Sequence, residues 1–241
     1  QHQLFFQLSY YLMLTISNNS IEKIIDAEIS SEAYYNKFLA APSWPTGQSG
    51  VTIGIGYDLG YNTEQQILAD WVGLVNANIL AYMQSVAGLT GLTAKSKVTA
   101  NVKGFKIPLD IAKKVFIEKT LPRYCKDTLT AYPTADQLHA NAAGGLVMLV
   151  FNRGSSFGTV GKKSWETRKE MRELKPLIDA QNYTAIAAKI RAMKRLWDGL
   201  DDATGKRNES ETRISALLLR RDVEADLIIN TTVADTTTIV F

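Results

Sequence analysis

Glu28 and Asp58 have the side-chain type that glycosidic chemistry requires. Breaking a glycosidic bond needs a carboxylic acid that stays protonated beside the leaving oxygen. It also needs a second group to handle the water or the oxocarbenium charge. Glu28 falls between Ala27 and Ile29, where one helical stretch gives way to another and a carboxyl can be partly desolvated. Asp58 follows Tyr57 at the end of a glycine-punctuated run, where small neighbours let a polymer approach the backbone. Each residue also has a plainer account: Glu28 as a glutamate exposed at a helix end, Asp58 as a turn-former before Leu59 and Gly60, Thr52 as an ordinary strand residue. Their combination carries the catalytic reading. Trp44 before Pro45, with Gln48 and Ser49, offers a stacking face and polar groups to a sugar, or else caps the core.

The elements that must position these residues are legible from periodicity. Apolar residues from Ile21 to Ala27 recur at helical spacing with Ser20 as N-cap, and a second helical stretch covers Ser31 to Ala41. Pro42 to Gly50 is rich in turn-formers, and Val51 to Tyr57 is β-branched at alternate positions and broken by Gly54 and Gly56, which predicts a short strand or hairpin. Helices are predicted over Glu64 to Ser85, Leu109 to Ala131, Ala135 to Phe151, Arg168 to Asp179, Tyr183 to Trp197 and Glu211 to Ile229. Strands near the start followed by a long run of helices predict an α+β fold with segregated elements. Thr231 to Phe241, rich in Thr and Val, predicts one late strand.

Bulk composition narrows the function classes. A chain of 241 residues with 46% hydrophobic and 21% charged content is globular. A formal net charge of +3 gives mild attraction to anionic wall polymers and falls short of a nucleic-acid-binding signature. The one cysteine, Cys125, excludes an internal disulfide framework and reads as a small apolar residue. No apolar run is long enough to span a bilayer, and Leu4 to Leu14 is interrupted by Gln7 and Ser9 and lacks a basic flank, so no signal peptide is evident. Because position 1 is Gln, an excised or processed chain with an export signal upstream stays open. His2 and His139 have no ligand cluster around them, and Gly54 and Gly56 lack the third glycine of a dinucleotide fingerprint, where Leu59 stands. Neither a metal nor a cofactor is expected.

Glu28, a tyrosine seven positions on at Tyr35, and then Thr52-Ile53-Gly54-Ile55-Gly56 together resemble the signature of phage-type lysozymes, glycoside hydrolase family 24. Two departures redirect the resemblance. No Asp lies between Glu28 and Thr52, and Tyr57 stands where a histidine usually follows the strand. The longer gap and the run Gly54 to Gly60 look more like the pesticin-type branch, where the resemblance implies a Glu, Thr, Asp set with the aspartate six residues after the threonine, here Asp58. Leu149 to Gly154 resembles the helix and turn facing the cleft, which makes Asn152 and Arg153 candidates for substrate contact or fold support. Arg168, Glu170, Met171, Met193, Trp197, Arg220, Arg221 and Glu224 are similar to that family's C-terminal helical lobe and are read as structural.

The resemblance implies a lysozyme-like fold, with a small N-terminal β-hairpin lobe and a larger helical C-terminal lobe. It further implies one catalytic domain over residues 21–241, preceded by an extension or extra helix over residues 1–20. The implied activity is a muramidase acting on peptidoglycan glycan strands in the periplasm or outside the cell. Glu28 would protonate the oxygen between N-acetylmuramic acid and N-acetylglucosamine, while Asp58 and Thr52 position water or stabilise positive charge. Tyr35, Gln48, Ser49, Tyr57, Asn152 and Arg153 would contact the glycan. The chain is expected to be a monomer without nucleic-acid partners. A phage endolysin, a bacteriocin-like killing domain and a secretion-system effector all fit, and the toxin readings add an immunity protein. A lytic transglycosylase, a peptidoglycan-binding module without turnover and a helical interaction protein are the alternatives.

Overall fold

The computed structural model describes residues 13–98, 105–197, 211–230 and 238–241. They form an α+β protein, mostly helical with two small two-stranded sheets. In chain order, β1 (Thr15–Ser17) and α1 (Asn18–Ile29) lead to α2 (Glu32–Tyr34), β2 (Thr52–Ile53), β3 (Tyr57–Asp58), α3 (Glu64–Trp71) and α4 (Ala77–Ser85). Then come α5 (Gly91–Lys97), α6 (Leu109–Val115), α7 (Leu121–Ala131), α8 (Ala140–Arg153), α9 (Lys163–Thr167), α10 (Lys169–Asp179), α11 (Tyr183–Ala192), α12 (Glu211–Ile229) and β4 (Thr238–Val240). The chain divides into two compact units: one runs from Ile21 to Arg123, and the other collects the described residues up to Ser20 and from Tyr124 onward.

In the unit from Ile21 to Arg123, α1 buries Ile21, Ile24, Ile25 and Ile29, the i, i+3, i+4, i+8 stripe of an amphipathic helix. It stops where Ser30 takes φ 58°, and Ser31 then caps α2 by accepting from the Tyr34 N–H at 3.1 Å. Tyr35 to Leu39 continue as one wide π turn with Tyr35 buried. The single helix expected over Glu64 to Ser85 is two: Gly73 at φ 78° ends α3, and Asn76 caps α4 by accepting from Ile79 N–H at 3.0 Å. α5 was not foreseen in the sequence.

In the other unit, α8 is the buried centre, with Asn141 to Val150 all inaccessible. Burying each of its large apolar side chains contributes about 1.5–3 kcal/mol. Its two glycines allow close packing: a Cβ on Gly144 would lie 1.9 Å from Ser20 Oγ, and one on Gly145 would lie 3.0 Å from the Glu224 carbonyl of α12. β1 pairs antiparallel with β4, Ile16 opposite Ile239, so the strand expected in the tail is present over Thr238–Val240. Residues 231–237 of that prediction, and residues 1–12 of the expected N-terminal extension, lie outside the described residues. The described part of that extension is β1 and the start of α1. The expected cap also moves: α1 begins at Asn18, and Ser17, not Ser20, supplies the capping oxygen, accepting from Ser20 N–H at 3.1 Å. α9 was likewise not foreseen.

Candidate active site

β2 and β3 make a hairpin whose register sets Thr52 opposite Asp58 and Ile53 opposite Tyr57. Gly54 and Gly56 form its turn at φ 59° and 64°, a region costly for residues with a Cβ. Alternation along the strands sends Ile53 and Tyr57 into the core and leaves Thr52 and Asp58 half-buried. On its outer edge Thr52 exchanges both backbone bonds with Ser43, at 2.9 and 2.8 Å, so its own N–H and C=O are both taken on that side. Glu28 is the penultimate residue of α1, also half-buried and in the same unit.

The Asp58 carboxylate is gripped by backbone. Gly50 N–H donates to Oδ2 at 3.0 Å and Gly60 N–H donates to Oδ1 at 2.8 Å. Both glycines are required at that distance, since a Cβ on Gly50 would fall 2.2 Å from Asp58 Oδ1 and 2.4 Å from Gly60 N. Burial pushes the Asp58 carboxyl above the usual carboxylate range, while the N–H groups of Gly50, Gly60 and Tyr61 pull it back. Each carboxylate oxygen keeps a second lone pair beyond the one these bonds use.

Two tyrosines expected on a bound glycan are in the core instead. Tyr35 is fully buried and its hydroxyl donates to the Ile107 carbonyl at 2.9 Å, so it ties the π turn to the segment before α6. Tyr57 is 4% exposed, packs edge-on against Trp71 and donates to Asp70 Oδ2 at 2.7 Å. Burial and the Asp70 charge push both its position and its proton toward the neutral phenol, well above the usual tyrosine range.

Gln48 and Ser49 lie on the approach loop. The Gln48 carbonyl accepts from Tyr61 hydroxyl at 3.1 Å, and the Ser49 carbonyl accepts from Trp44 Nε1 at 3.1 Å and Gly91 N–H at 3.0 Å. The Lys95 ammonium sits 5.3 Å from the Trp44 ring centre, so the indole already has a cation on one face and an acceptor for its N–H. The Gln48 side chain is exposed.

Asn152 and Arg153 belong to the other unit, where both are tied into its own polar core. Arg221 Nη2 donates to Asn152 Oδ1 at 2.9 Å, and Arg153 Nη2 donates to the Thr167 carbonyl at 2.6 Å. Burial, together with the neighbouring Arg168 and Arg221 charges, lowers Arg153 to about 10.

Sequence reasoning missed Asp70, Asn62 and Arg123. Asp70 is 3% exposed, accepts from Tyr57 and from Gln66 Nε2 at 3.0 Å, and pairs with the Arg123 guanidinium. Arg123 Nη1 also donates to Asn62 Oδ1 at 3.3 Å. The signal was present in α3: Ile67, Asp70 and Trp71 share its buried stripe, and a carboxylate there needs a partner. A separate cavity of about 390 Å³ is lined by Glu32, Asn36, Pro108, Leu109, Asp110 and Lys113, none of them among the expected site residues. Among the described residues no group of three or more His, Cys, Asp or Glu side chains converges to hold a metal ion. His139 caps α8, its Nδ1 accepting from Asn141 N–H at 3.3 Å. No helix among the described residues is long and apolar enough to cross a membrane.

The model of a domain family of unknown function, DUF8812, matches residues 26–132. That stretch contains Glu28, Thr52, Asp58, Asp70 and Arg123, and it leaves out Asn152 and Arg153. No curated protein matches the chain.

Proposed function

We propose that the chain is a peptidoglycan-cleaving muramidase with Glu28 as general acid and Thr52 and Asp58 as the pair facing the attacking water. The observation that carries this reading is the hairpin register, which makes Thr52 and Asp58 direct cross-strand partners, both half-buried. The glycines at positions 50 and 60 add weight, because their bare backbone packs against the Asp58 carboxylate and fixes where it lies. General acid catalysis contributes roughly 10² to 10⁴ in rate, with the remainder from sugar distortion and preorganised dipoles. The match to a family of unknown function is neutral on activity. Bacterial wall as the place of action, and an immunity protein as partner in a toxin setting, belong to the same proposal.

A second reading draws on the two backbone N–H bonds to Asp58. If that carboxylate is purely a hairpin brace, Glu28 acts alone and the product is the anhydro sugar of a lytic transglycosylase. Purified peptidoglycan incubated with wild type and Glu28→Gln, followed by mass analysis of released muropeptides, decides among the readings. Hydrolytic cleavage predicts reducing-end muramic acid and a loss of at least 100-fold in the variant. Anhydro products would mean the transglycosylase, and equal release by both proteins would remove Glu28 from the chemistry. Binding without any release would leave a glycan-gripping module.

A further inference from the structure

We propose that Arg123 is a positioning residue of this site, closing a ring of hydrogen bonds that clamps the backbone on both sides of Asp58; the proposal rests on the muramidase reading. The ring can be followed atom by atom. Asn62 Nδ2 donates to the Asp58 carbonyl at 2.7 Å, and Asn62 Oδ1 accepts from Arg123 Nη1 at 3.3 Å. Arg123 Nη2 pairs with Asp70 Oδ2, and that same oxygen accepts from Tyr57 hydroxyl at 2.7 Å. Tyr57 precedes Asp58 in β3, so the circuit returns to its start through one peptide bond.

The guanidinium fork is what lets one side chain serve both arms, with Nη1 on the Asn62 amide and Nη2 on the carboxylate. Asp70 is the fixed end of the clamp, since it is nearly fully buried and Gln66 holds its other oxygen at 3.0 Å. Arg123 is the adjustable end, with 37% of its side chain exposed. Tyr57 is anchored at its ring and Asn62 at its amide, so the peptide between them has little freedom to rotate. The Asp58 carboxyl thereby stays under Gly50 and Gly60 and partly out of water.

Arg123→Lys keeps the charge on Asp70 but offers a compact ammonium that cannot span both arms. The variant and wild type are compared by thermal melting, by kcat and KM on peptidoglycan, and by carbon-detected NMR titration of the Asp58 carboxyl. The expected result is a melting temperature within a few degrees of wild type, kcat lower by about tenfold with KM unchanged, and an Asp58 midpoint displaced toward the ordinary carboxylate value. Asn62→Ala, which breaks the other arm and leaves no buried charge unpaired, is expected to do the same. An unmoved Asp58 midpoint, or wild-type kcat in both variants, would overturn the proposal. Failure of the muramidase reading shows separately, as wild type that releases no muropeptides, and the titration then still decides whether Arg123 holds Asp58.

Discussion

Asp70 in one unit and Glu224 in the other are both buried carboxylates facing arginine, and the two pairs are built differently. In the unit from Ile21 to Arg123, both oxygens of Asp70 have donors, and its cation reaches water. In the other, Glu224 and Arg221 are both fully inaccessible and 2.5 Å apart, with Arg220 3.7 Å away. Among the described residues, Glu224 Oε2 and the Nε and Nη1 of Arg221 find no hydrogen-bond partner. A fully desolvated pair recovers its solvation cost only when every donor and acceptor is met, whereas a pair with one wet member loses much less. The first arrangement can fix geometry at small cost, and the second stores a penalty that depends on pH.

The largest effect expected from this contrast is Glu224→Ala at a pH above about 7, where the carboxyl is ionised; the variant then leaves buried arginine uncompensated and costs about 3–5 kcal/mol in urea denaturation. Asp70→Asn should cost about 1–3 kcal/mol, because Arg123 can turn to water. Equal losses would erase the distinction.

Next in size is Gly50→Ala. The added methyl would meet Asp58 Oδ1 at 2.2 Å and backbone at 2.4 Å, so the hairpin must move. We expect about 1–3 kcal/mol of destabilisation and a disproportionate loss of wall lysis, read by melting and turbidity together.

The pH profile comes third. Burial raises Glu224 to about 7, above its unfolded value of 4.5, so the folded protein binds the extra proton. Its contribution is therefore complete below about 4.5 and is lost as pH rises through about 7, a decline of about 1–3 kcal/mol in wild type and none in Glu224→Gln. The smallest effect is kinetic. Burial pushes the Cys125 thiol up to about 12, so thiol reagents should label the native protein only through opening of its unit. Glu224→Ala should speed that labelling at fixed pH.

The positions that sequence made legible are those fixed by local periodicity or by short spacing. The glycine-punctuated hairpin and the isoleucine stripe of α1 follow from neighbouring residues, whereas the cap expected at Ser20 is supplied by Ser17. What stayed hidden depends on partners far apart in the chain: Arg123 and Asp70 meet across 53 positions, and Tyr35 takes its acceptor from Ile107. Such pairings have no periodic trace. The family resemblance placed Tyr35 and Tyr57 on a ligand, whereas packing gave them to the core, where a phenol with one good acceptor is stable. The break after α3 was readable in Gly73 and Asn76, but the apolar character on either side masked it.

The pairing of Thr15 with Val240 joins segments separated by almost the whole chain. A ribosome delivers β1 first and β4 last, so β1 must stay unpaired through the synthesis of everything between them. Contacts of such high sequence separation close slowly. Unlike the continuous stretch from Ile21 to Arg123, the unit holding α8 and α12 therefore completes its edge only after β4 has emerged, which makes ladder closure a late event in the protein's assembly.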